Sequence, residues 1–138
     1  MAEKLLKWLL RLTGIACLFA LPFVFVPRAW MASIHQWAGL GTMPDGVIVS
    51  YLSRSTSAFY AMFGGLVLFL STDVRKYSTL ISYVAWLGIA YGLIMATHNA
   101  VMGMPIDWVL GEGCTAVPVA IIILLLQRAA RRAGGKEA

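Results

Sequence analysis

The sequence predicts an all-α integral membrane protein: a four-helix bundle with both termini in the cytoplasm and an interfacial amphipathic helix in its first outer loop. Composition, the length of the apolar runs and the placement of positive charge carry that prediction. Of 138 residues, 60% are hydrophobic and only 12% charged, about half the roughly 25% of a soluble domain. The mean hydropathy is +0.80. A bilayer core about 30 Å thick needs roughly 20 helical residues, and four runs approach that length. Barrel strands would be about half as long and would alternate apolar with polar.

The first span covers residues 8–26, kinked at Pro22 and ended by Pro27, because proline removes a helical donor and clashes with the turn before it. Lys4 and Lys7 ahead of an apolar run resemble a signal peptide. The only cleavage zone, "RAWMAS", would put Trp30 where a small residue is required, so the segment is expected to remain as an anchor. The first outer loop, residues 27–52, carries Trp30, Ile34 and Trp37 at helical spacing. That stripe suits a helix lying among headgroups, or else a lid with His35 as its one reactive group. "MPDG" within the loop is a turn, with Gly46 permitting positive φ.

The second and third spans cover residues 53–71 and 78–99, and the fourth covers 108–127 with Pro118 inside it. A basic tail, 128–138, completes one transmembrane domain of residues 1–138. Gly88, Gly92 and Ala96 recur every four residues on the third span, a small-residue face that allows close helix approach. Asp107, after Pro105, is placed to cap the fourth span.

With four spans, nine cations fall on one side: Lys4, Lys7, Arg11, Arg75, Lys76, Arg128, Arg131, Arg132 and Lys136. Arg28 and Arg54 fall on the other. The excess of positive residues marks the cytoplasmic face, and the location that follows is a bacterial plasma membrane crossed several times. The same placement argues against nucleic acid as a partner, since no basic stripe with interleaved aromatics exists.

The stretch "THNAVMGMPIDWVLGEG", residues 97–113, gathers His98, Asn99, Asp107 and Glu112 between two apolar runs. Counting depth from the inner ends of the spans brings Arg54, His98 and Glu112 to one layer at the outer end. Ser57, Tyr91 and Asn99 can extend it. A carboxylate so near the apolar core costs a few kcal/mol at most on insertion scales, and a partner offsets that. Two arrangements fit: Arg54 pairs with Glu112 as a brace, or His98 donates to Glu112 and Arg54 faces an anionic ligand. Separate snorkelling to water is the plainest alternative.

No metal-ligand spacing, phosphate loop or dinucleotide fingerprint is present. Cys17 and Cys114 stand in no paired motif. His98 and Glu112 as acid and base on a lipid or quinone would lack a nucleophile or cofactor motif.

The run "YLSRSTSAFYAMFGGLVLFLSTDVRKY" together with "GMPIDWVLGEG" resembles a group of small, uncharacterised bacterial inner-membrane proteins with four helices. The layout is similar to the DoxX-like family. That resemblance implies a compact bundle in the bacterial plasma membrane associated with redox or quinone-linked complexes, and it brings no catalytic residues. The expectation is a non-catalytic membrane protein, an accessory or oligomeric subunit whose partners are the lipid bilayer and either further copies of itself or a larger membrane complex. The sequence leaves any cofactor unknown. The alternative is a binding or transport module taking a small anion, a proton, or a quinone or lipid headgroup in that layer.

Overall fold

The computed structural model describes residues 1–134, with side chains through Arg132; Lys136 of the basic tail lies outside the described residues. Helices account for most of the described residues, and no strand is among them. In order they are α1 (Ala2–Leu18), a 3-10 turn (Leu21–Val24), α2 (Arg28–Trp37), α3 (Val47–Leu70) and α4 (Ser78–Val101). A short α5 (Ile106–Trp108) runs through a π-helical turn (Val109–Cys114) into α6 (Thr115–Gly134).

Among the described residues, three helical stretches are long and apolar enough to cross a membrane: Ala2–Val24, Ser78–Val101 and Ile106–Arg132. Four were expected. The remaining helix, α3, has the length at 24 residues, but Arg54 and the hydroxyls of residues 53–57 dilute its apolar character.

The helix ends differ from the hydropathy bounds for local reasons. In the first span the α-helix stops at Leu18, before the proline expected to kink it, and Pro22 is the second residue of the 3-10 turn that follows. Leu18 is the residue four before Pro22, whose carbonyl the proline ring would strike in a continuing α-helix. Helix α3 starts at Val47, ahead of the polar residues that bounded the expected span, because "VIVSY" continues the helix once Gly46 (φ +144°) has turned the chain. At the far end α6 carries on through Arg131 and Arg132, since arginine is a good helix former wherever its charge can reach water.

The chain divides into two compact units: Met1–Arg11 with Phe69–Ala138, and Leu12–Leu68. In the first, α4 packs on the π turn and α6 through the expected small-residue face. A Cβ built on Gly92 would meet Val117 Cγ2 at 2.7 Å and the Gly113 carbonyl at 2.8 Å. One on Gly113 would lie 2.5 Å from the Ala96 nitrogen. The backbones therefore approach with nothing between them, the geometry that small residues permit in membrane bundles.

The same unit holds a polar knot. Gln127, only 3% exposed, donates its amide to the Ser78 carbonyl. It accepts from the Ser82 hydroxyl at 2.7 Å, which ties α6 to the start of α4. Both amide ends are used, so burial leaves nothing unsatisfied. Gln127→Leu should lower stability by about 1–3 kcal/mol, the cost of a polar partner left without its bond. Thermal unfolding in detergent measures it.

In the second unit, α1 and α3 cross at glycines. A Cβ on Gly64 would come within 2.6 Å of the Gly14 carbonyl. Arg28 at the start of α2 pairs with Asp45 at 2.6 Å and also donates to the Pro44 carbonyl at 2.9 Å, which pins the loop between α2 and α3. Both side chains of that pair are exposed, so Arg28→Ala should cost under about 1 kcal/mol by the same melting measurement.

Candidate functional site

The site grows from the junction of α4 with the π turn. Pro118 lies inside α6, and its missing N–H would have bonded the carbonyl of Cys114, the last residue of the π turn. Widening the preceding turn relieves the clash of the ring with that carbonyl. Gly111 and Gly113 make the widening easy, and the Thr115 hydroxyl donates to the Gly111 carbonyl. The π turn carries Glu112 towards α4. Such turns recur at functional sites.

There the carboxylate meets two donors. The Tyr91 hydroxyl donates to Glu112 Oε1 at 2.8 Å, and the Asn99 amide donates to Oε2 at 3.2 Å. Asn99 is 5% exposed; Glu112 is half-buried and Tyr91 lies at the surface. Tyr91 and Asn99 sit eight residues, about 80°, apart around α4, and Glu112 spans that angle with one oxygen to each. Each carboxylate oxygen therefore has a neutral donor, which offsets part of the cost of removing it from water.

No protein-family model, curated protein or solved structure matches this chain.

Of the six residues expected in the polar layer, three come together: Tyr91, Asn99 and Glu112. His98 is exposed instead. It lines a shallow, open groove with Leu93, Ile94, Thr97 and Val101, all on α4. Arg54 and Ser57 belong to the other unit. Arg54 donates to the Val26 carbonyl at 3.3 Å. Ser57 returns its hydroxyl to the Ser53 carbonyl at 2.9 Å, the back-bond a mid-helix serine commonly makes. Asp107 does not cap the fourth span. Pro105 holds the cap position without a side-chain bond, and Asp107 stands within the first turn, where its charge still suits the helix dipole.

In the outer loop, His35 Nδ1 hydrogen-bonds the Gly41 carbonyl at 3.1 Å. Trp30, Ile34 and Trp37 on α2 are exposed, Trp37 by 88%. Among the described residues, no three His, Cys, Asp or Glu side chains gather as a metal group.

Sequence reasoning missed the π turn and the Gln127 knot. A proline four residues beyond a Gly-Glu-Gly-Cys run signals the first. No sequence signal announces the second, because one glutamine at the end of an apolar run is read as the edge of a span.

Proposed function

We propose that the chain is a non-catalytic, multi-pass membrane protein acting as an accessory or oligomeric subunit, with Glu112 as an internal brace. The observation that carries this reading is the engagement of both Glu112 oxygens by Tyr91 and Asn99 of the neighbouring helix. A carboxylate held so by two neutral donors ties helices together. In this reading α3 is the fourth span, since 24 residues reach about 36 Å. The termini lie in the cytoplasm by the distribution of Lys and Arg. Trp30, Ile34 and Trp37 anchor α2 among the headgroups. The bacterial plasma membrane and the DoxX-like layout belong to the same proposal.

Native mass spectrometry after mild detergent extraction tests the subunit role. A homo-oligomer or a complex with another membrane protein is expected, and a lone monomer under every mild condition would sink it. Reporter fusions test topology: after residue 132 the reporter should be cytoplasmic, and within residues 38–46 external. Arg54→Ala tests how far the brace extends. Because Arg54 also bonds the Val26 carbonyl, the double variant with Glu112→Gln decides: additive losses confine the brace to Tyr91, Asn99 and Glu112, and only a non-additive coupling would extend it to Arg54.

A further inference from the structure

At the opposite end from Glu112 along α4 and α6, the first unit contains a cavity of about 140 Å³. Its wall is formed by Leu6, Val74 and Ala130 together with Ser78 and the buried Gln127, which bond each other; its more exposed residues are Glu3, Arg75 and Arg131. Leu6 and Val74 are 1% and 6% exposed, while Arg131 is exposed. Arg75 donates through Nε to Glu3 Oε2 at 2.8 Å, with Nη2 also 2.8 Å from that oxygen. Among the described residues Arg131 forms no hydrogen bond or ion pair. Two arginines against one glutamate leave the lining with one net positive charge.

A mostly apolar wall beneath a cationic mouth matches an amphiphile with an anionic head. The guanidinium fork fits two oxygens of a phosphate. We propose that this cavity binds the phosphate group of an anionic phospholipid, with Arg131 as its principal ligand and Arg75, oriented by Glu3, beside it. Leu6, Val74 and Ala130 receive the glycerol ester region. Lys4, Lys7, Lys76, Arg128 and Arg132 belong to the same unit and raise the local concentration of anionic lipid. The site rests on the reading that this basic end lies at the headgroup level of a bilayer.

Thermal unfolding of the full chain in a neutral detergent tests it, with added phosphatidylglycerol, phosphatidylcholine or inorganic phosphate. Wild type, Arg131→Gln and Arg128→Gln are compared, since Arg128 leaves the same helix end but does not line the cavity. Phosphatidylglycerol should raise Tm by several degrees, phosphatidylcholine should not, and inorganic phosphate should act only weakly. Arg131→Gln should melt like wild type without lipid and need about tenfold more phosphatidylglycerol for the same shift, the scale of one charge-assisted hydrogen bond. Arg128→Gln should keep the wild-type response. Should Arg131→Gln fail to fold, Arg131→Lys, which keeps the charge and loses the fork, must still bind more weakly.

Equal shifts with both lipids, equal losses in Arg131→Gln and Arg128→Gln, or no shift at all would each overturn the site. Inorganic phosphate matching phosphatidylglycerol would overturn the lipid as its source. Release of the protein from membranes by alkaline carbonate would instead strike the membrane reading itself, so the two failures are distinguishable.

Discussion

Gly113→Ala should cost the protein more stability than any other single added methyl along α6 and the π turn. The new Cβ would stand 2.5 Å from the Ala96 nitrogen and 2.6 Å from its Cα. Those are backbone atoms, which cannot rotate aside as a side chain can. The expected loss is at or beyond the upper end of the roughly 1–3 kcal/mol typical of overpacking. Gly111→Ala, two residues earlier, is the natural control. A Cβ there meets nothing within 4 Å, so the change should be neutral or stabilise by up to about 1 kcal/mol. Melting temperatures in detergent should separate the two variants clearly. Equal behaviour would mean that α4 and the π turn do not approach as closely as described.

Glu112→Leu has the second largest expected effect. It removes the acceptor of both Tyr91 and Asn99, and the Asn99 amide is then buried without its bond. A buried donor without its partner costs about 1–3 kcal/mol, and the Tyr91 hydroxyl adds a smaller loss because it reaches the surface. Glu112→Gln should fall between, since it keeps one acceptor oxygen while its amide nitrogen faces a donor. A double-mutant cycle with Asn99→Leu should return a coupling of roughly 0.5–3 kcal/mol. Asn99→Leu in the Glu112→Leu background should therefore cost less than it does alone. A wild-type melting point for Glu112→Leu would remove the brace from the proposed function.

The value of that carboxylate could not be read from residue spacing. Counting depth along apolar runs brought Arg54, His98 and Glu112 to one level, because 1.5 Å per residue fixes height along a helix. Height says nothing of azimuth. Asn99 and His98 are neighbours in sequence and so lie about 100° apart around α4; one turns inward to Glu112 and the other to the outer groove. The π turn adds its own rotation to everything before Thr115, which a regular helical count cannot anticipate. The Gly88, Gly92 and Ala96 face was legible, by contrast, because a repeat of four keeps small residues on one side of a helix whatever surrounds it.

Sequence by itself determined the all-helical class, the apolar segments long enough for a membrane and the grouping of cations at their ends. Each follows from local properties: hydropathy summed over a run, helical rise and the position of charge. It also marked Pro22 as a site where the helix must yield, since the missing N–H belongs to the residue itself, and it placed Pro118 inside the last span. Only the tertiary structure decided how it yields: a break after Leu18 in one case and a π turn in the other. Only it chose Asn99 over His98, and joined Gln127 to Ser78 and Arg75 to Glu3. Those choices depend on which helix faces which. Orientation of that kind comes from packing between segments distant in the chain, and no residue encodes it alone.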